Sequence, residues 1–202
     1  MPSNAAPAPR PRGRPRSFDR EAALDRATRL FWEHGYEATS VADLTRVMGI
    51  GAPSLYAAFG DKRALFDEVV AAYGAGYGAF TGRALAEEPT ARAAVGRLLR
   101  EAAGEYASAE HPRGCLVISA ATNTSSEAVR GSLRALREAN VAAIRDLIQD
   151  DVDAGLLPAG TDAAGLARYT GAVVQGMSQQ ARDGASTADL AAVAELALAA
   201  WP

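Results

Sequence analysis

Apolar residues recur along this chain at intervals of three and four, with no strand pattern of note, so the hydrophobic pattern predicts helices from end to end. A first helix opens with Asp19 as its cap, carries Leu24, Ala27, Leu30 and Phe31 as its buried stripe, and stops at Gly35. Val41, Leu44 and Met48 mark a second, and Leu55 and Phe59 a third that runs only from Pro53 to Phe59 before Gly60. Asp61 caps a fourth, whose Leu65, Phe66, Val69 and Val70 dock on the preceding helices while Tyr73, Tyr77 and Phe80 continue beyond them. Four glycines between Gly74 and Gly82 lower helix propensity there by roughly 1 kcal/mol each, which points to a bend or close packing near Tyr77. Next come a helix from Thr90 through Leu98, Leu99 and Tyr106, a break at His111-Pro112-Arg113-Gly114, and a short apolar helix at Cys115 to Ser119. A long helix follows through Val129, Leu133, Leu136, Asn140, Ile144, Leu147 and Val152. Two amphipathic helices end the chain, one on Leu166, Tyr169, Val173, Met177 and Ala181, the other on Leu190, Val193, Ala194, Ala197, Leu198 and Trp201.

The most informative stretch is Thr39 to Lys62. Thr39 or Ser40 can cap the second helix, and Asp43 lies three residues after Ser40 for a reciprocal bond. Gly49 supplies the left-handed residue that ends that helix, Ile50 folds back toward Leu44, and Pro53 fits the first turn of the next. The third helix is roughly 10 Å long, short enough for a major groove about 12 Å wide. With Leu55 and Phe59 turned inward, Ser54, Tyr56, Ala57 and Ala58 face out. Two short helices around a glycine turn with an exposed tyrosine are suited to reading DNA.

From Gly35 to Phe66 the chain resembles the DNA-binding domain of the TetR family of bacterial repressors. The resemblance rests on Tyr36 after Gly35, the Thr39-Ser40 pair, Val41-x-x-Leu44, the Met48-Gly49-Ile50 turn, Ser54-Leu55-Tyr56, Phe59 and Asp61-Lys62-x-x-Leu65. With the preceding helix it covers about the first third of the chain. It implies an all-α fold: an N-terminal three-helix helix-turn-helix DNA-binding domain over residues 17–63 and a C-terminal helical ligand-binding and dimerisation domain over 64–202. It also implies a ligand-responsive repressor that binds a palindromic double-stranded DNA operator as a homodimer through the last two helices and is released by a small-molecule or electrophile inducer. Thr39, Ser40, Tyr56 and Lys62 are then expected on phosphates, and Pro53 and Ser54 on bases. Where the family often has a Gly or Gln-type residue near the start of the reading helix this chain has Ala52-Pro53, so base readout there is largely apolar. A body of this kind buries an apolar pocket with a few polar groups, for which Tyr73, Tyr77, Tyr106, Cys115, Asn123 and Gln175 are candidates.

Charge sharpens the division. Residues 1–63 hold ten Arg and Lys against seven Asp and Glu, whereas residues 64–202 hold eleven against seventeen, so a basic head precedes an acidic body. Residues 1–16 form an arm, expected to be disordered, in which Arg12-Gly13-Arg14 with Arg16 looks like an AT-hook core: an extended Arg-Gly-Arg that follows a narrow A·T minor groove. Lys62 is the only lysine in the chain.

The 14-residue uncharged run from Val69 to Gly82 is shorter than the about 20 residues a membrane span needs, and no apolar leader precedes the arm, so a cytoplasmic protein is expected. One cysteine and two histidines exclude an intrachain disulfide and the usual zinc clusters, so neither metal nor cofactor is expected. Cys115, after Arg113 and at a helix start with His111 four residues back, has neighbours that favour thiolate. Two rival readings follow: a cysteine-based redox protein or enzyme, which lacks a base and an orienting group, and an architectural DNA-binding protein, which leaves the acidic body without a role.

Overall fold

The structure, a computed structural model, describes residues 18–122 and 124–202. Among them are ten helices and no strand: α1 (Arg20–Ala38), α2 (Val41–Met48), α3 (Ala52–Phe59), α4 (Lys62–Ala75), α5 (Ala79–Glu87), α6 (Ala91–Tyr106), α7 (Leu116–Ser119), α8 (Glu127–Asp153), α9 (Ala163–Arg182) and α10 (Thr187–Ala199). The expected all-α class holds. Arg12, Gly13, Arg14, Arg16 and Asn123 lie outside the described residues.

Local chemistry explains most boundaries. Asp19, Ser40, Asp61, Thr90, Ser126, Asp162 and Ser186 each accept a backbone N–H in the first turn of the helix that follows, filling a donor that has no partner within the helix. At Ser40 the bond is reciprocal, with Asp43 reaching back to the Ser40 amide. Gly35, at φ 78° and ψ 174°, breaks the helical run where the sequence stops it, and after this kink one further turn runs to Ala38. Beyond the kink Tyr36 stacks on Phe31, ring centres 6.1 Å apart.

The fourth helix is shorter than the sequence suggests. It ends at Ala75; the chain turns through Gly76 and Gly78 and restarts as α5, so Tyr77 and Phe80 are not its continuation. A Cβ on Gly78 would lie 2.8 Å from the Tyr73 ring, which is why the turn needs glycine there.

Helices α1 to α3 form the head, with α1 packed on α2 and α4. In the body α6 is central and touches α5, α8, α9 and α10. Its buried Val95, Leu98, Leu99, Ala102 and Tyr106 therefore face several neighbours. The buried stripe of α8 is Val129, Leu133, Val141, Ile144 and Ile148; Leu136 and Asn140, expected within it, are exposed. The final helices also divide differently from their sequence stripes. On α10 Ala194 is fully buried, while Val193 and Leu196 are 39% and 73% exposed; on α9 Met177 and Ala181 are buried but Tyr169 is 39% exposed.

Polar contacts at several points fasten α1 to the body, among them the Arg20–Glu68 ion pair at 2.7 Å and a donation from Arg29 to the Glu110 carbonyl at 2.6 Å. Glu37 accepts from the Thr124 and Ser125 hydroxyls and the Ser125 amide ahead of α8, at 2.8–3.2 Å, and these donors hold its carboxyl below the usual range. Arg182, the last residue of α9, donates to the Trp32 and Glu33 carbonyls. Arg29 donates to the Tyr77 hydroxyl at 2.7 Å, and that hydroxyl donates to Asp25 at 2.8 Å. Between them Trp32, almost completely buried, meets Tyr73 edge-on at 4.9 Å and stacks on His111 at 4.7 Å. Such aromatic pairs add about 0.5–1.5 kcal/mol each beyond burial.

Candidate nucleic-acid interface and effector cavity

The turn between α2 and α3 sets the aim of the third helix. Gly49 adopts φ 70°, ψ 29°, and both its amide and that of Ile50 donate to the Thr45 carbonyl, closing α2 in the manner that a left-handed terminal residue allows. Gly51 then precedes α3, and Pro53 falls in its first turn, where no amide is needed. Leu55 and Phe59 are buried against the head core, which turns Pro53, Ser54, Tyr56 and Ala57 to solvent; Ala58 is half-buried. Tyr56 is 49% exposed, which leaves much of its side chain open on the outer face of α3. Eight residues at 1.5 Å each make α3 about 12 Å long, the scale of the major groove.

The expected phosphate contacts divide into two groups. Ser40 is exposed beside its capping bond, and Asp43, held to about 2 by the Ser40 hydroxyl first and Arg46 second, remains ionised as the partner of that cap. Thr39 is corrected: it is 1% exposed and its hydroxyl donates to the Gly35 carbonyl at 2.7 Å, which commits it to bracing the α1 kink. Lys62, the first residue of α4, is half-buried with its ammonium 4.3 Å from the centre of the Tyr36 ring. Burial lowers its pKa while Glu37 favours the charge.

Behind the head, α4, α5, α6, α7, α8 and α9 line a partly open cavity of about 500 Å³. Tyr73, Tyr106, Cys115 and Gln175, all anticipated from the sequence, line it; Tyr77 does not, because the turn after α4 swings it onto Asp25 and Arg29. Leu98, Val141 and Ile144 supply apolar wall, and Asn140 and Arg137 add polar groups that were not among the expected lining residues. A signal for Arg137 existed: it interrupts the stripe Val129, Leu133, Val141 at the four-residue step where another apolar residue would fall.

Cys115 faces the cavity with different neighbours from those expected. Arg113 turns away to donate to the Ala181 and Ala185 carbonyls at the end of α9, and His111 stacks on Trp32, so neither activates the sulfur. Burial pushes the thiol up, against the Tyr73 and Tyr106 side chains and the Ile118 and Val117 amides, which favour thiolate. The Cys115 amide donates to the Ser178 hydroxyl at 2.9 Å, fixing α7 to α9. Among the described residues no His, Cys, Asp and Glu cluster could hold a metal ion, and no helix is long and apolar enough to cross a membrane.

The geometry defines a helix-turn-helix head coupled to a hollow helical body. Residues 23–69 match the family described as bacterial regulatory proteins, tetR family, and residues 90–196 match the tetracyclin repressor-like C-terminal domain. The HTH-type transcriptional repressor ComR of Escherichia coli is 36% identical over 194 residues, covering 95% of this chain and 92% of that one. Among solved structures, a cysteine mutant of the TetR family transcriptional regulator CifR, complexed with 26-bp double-strand operator DNA, superposes with a TM-score of 0.88 at 45% identity, covering 94% of this chain and 100% of that one. A putative TetR regulator from Rhodococcus sp. RHA1 reaches 0.62 at 36% identity, with 91% and 100% covered. The chain belongs to the tetR family of bacterial regulatory proteins and is a helix-turn-helix transcriptional repressor.

Proposed function

We propose that this repressor binds a palindromic operator as a homodimer joined through α9 and α10, and that occupation of the cavity releases it. The observation that carries the reading is the wall shared by cavity and joint: Tyr73 lines the cavity and packs on Trp32 of α1, while α7 touches both α1 and α4. A ligand that fits one position of α4 better than another changes the separation of the two heads, and one that fits both equally cannot. The operator DNA bound by the related CifR structure supports the same use of α3 here. Tyr169, Val193 and Leu196 form the exposed apolar face available to a second copy.

On DNA, Ser40, Tyr56 and Lys62 hold phosphates, and Pro53 and Ser54 face base edges. Phosphate contacts set register and base contacts set sequence preference. Lys62→Ala therefore weakens binding to all sequences alike and makes the salt dependence shallower by about one unit of slope, measured by fluorescence anisotropy across a salt series. An unchanged slope removes Lys62 from the phosphate contacts.

The cavity position of Cys115 favours a second mode of release, by alkylation. Because burial raises its pKa, the thiol form dominates near neutrality and reaction accelerates as the pH rises. N-ethylmaleimide is expected to release operator from the wild type and not from Cys115→Ser. If both release, or neither does, Cys115 is a packing residue and release is non-covalent.

A further inference from the structure

We infer that the cavity takes an apolar ligand bearing one carboxylate, anchored by Arg137; the inference rests on the proposal that this cavity is the effector site. Arg137 stands half-buried on α8 with its guanidinium at the cavity wall. Its one hydrogen bond among the described residues is a donation to the Val117 carbonyl at 2.9 Å, which leaves most of its five N–H donors for other partners. No carboxylate lies within ion-pair distance of it among the described residues, and residues 1–17 and 123 contain no Asp or Glu.

The acids nearby are engaged elsewhere. Asp67, at the cavity edge, pairs with Arg63 at 2.9 Å. Glu138, next in the chain, is gripped by both terminal nitrogens of Arg168 at 2.9 and 3.0 Å. Cys115 is kept in its neutral form by burial and supplies no counter-charge. Desolvation lowers the Arg137 pKa and Arg134 adds to that effect, while Glu138 favours the cation only through space, without touching it, so the guanidinium has no carboxylate in contact.

A carboxylate is the ligand group that answers this arrangement. It accepts two parallel N–H bonds from a guanidinium. Asn140, one turn along α8, and Gln175, across on α9, are amides able to donate to the oxygens that remain. Phe80, Leu98, Ile144 and Val174 form the apolar wall that would receive the rest of the molecule. One cation suits one negative charge better than the dianion of a phosphate ester.

The test is calorimetric titration of the full-length protein with straight-chain carboxylates of about six to twelve carbons and the matching alcohols, a range chosen to suit a cavity of this size. Wild type is expected to prefer the best carboxylate over its alcohol by roughly tenfold or more. Arg137→Gln should erase that preference. Arg137→Lys, which loses the same guanidinium bond to Val117 but keeps the charge, should retain part of it, and operator binding by each variant verifies that it is folded. Equal affinity of wild type for acids and alcohols overturns the carboxylate anchor while leaving the effector cavity in place. A preference that survives Arg137→Gln also overturns it, by locating the anion elsewhere. No binding of either series overturns both the anchor and the cavity reading.

Discussion

Val193→Arg combined with Leu196→Arg should yield a monomer that has lost its operator. The two residues lie three apart on α10, on one face, and are 39% and 73% exposed in the single subunit, so the substitutions leave the subunit core untouched. In a twofold interface each substitution occurs twice on the same patch, and four guanidinium groups would have to be buried against like charge. The penalty for unpaired buried charge is several kcal/mol per group, more than a typical interface can absorb. A monomer then engages one half-site at a time and loses the effective-concentration gain of a linked pair, so operator affinity should fall by about 100-fold or more. Light scattering after size exclusion should give 21.0 kDa in place of twice that mass. A double variant that keeps the dimer mass would locate the interface away from α10. Ala194, which shares the sequence stripe of Val193, is unsuitable for this test: it is fully buried, and arginine there would disrupt the subunit before the dimer.

Gly114→Ala should produce the largest loss of stability of any single-methyl change here. Gly114 adopts φ 77°, and an added Cβ would sit 2.8 Å from the Ser178 carbonyl oxygen, 2.9 Å from its hydroxyl and 3.0 Å from Arg182 Cγ. The left-handed backbone alone costs about 1–2 kcal/mol with a side chain present. Relieving the clash means separating α7 from α9 and stretching the bond from the Cys115 amide to Ser178. A total near ~3 kcal/mol lowers the melting temperature by roughly 6–12 °C for a chain of this length. Gly104→Ala is the control, since nothing lies within 4 Å of its added methyl in α6, and it should gain about 1 kcal/mol of helix propensity. Equal melting temperatures for the two variants would mean that the α7–α9 contact can open without loss.

The head was legible in the sequence because its structure is local. Ser40 with Asp43, Gly49, Pro53 and the pair Leu55 and Phe59 each act within one turn of chain, so composition and spacing carry the geometry directly. Thr39 shows where locality stops being enough: two adjacent hydroxyls could each have capped α2, and only the kink at Gly35 decides that one of them is buried. The body was legible in its helices but not in their faces. An apolar residue on α10 is equally good as core or as interface, and only the packing of α6 against α10 separates Ala194 from Val193. Tyr77 would face the cavity only on a continuous fourth helix; the Gly76–Gly78 turn carries it instead onto Asp25 and Arg29. Arg137 is inconspicuous in the sequence because a single arginine on a long helix ordinarily belongs to the solvent face, and only its bond to the Val117 carbonyl of α7 shows where it stands.

The fastenings of α1 also bear on how freely such heads can be exchanged between proteins. Asp25, Arg29 and Glu37 belong to the head by sequence, yet their partners Tyr77, Thr124 and Ser125 belong to the body. A chimera joined just after α3 would bring a foreign α1 whose side chains do not match those partners; its DNA preference would travel with the graft while its response to the effector would not. Transplanting only the stretch from Ser40 to Gly60 keeps every fastening in the recipient, so sequence preference and inducibility can be inherited from different parents.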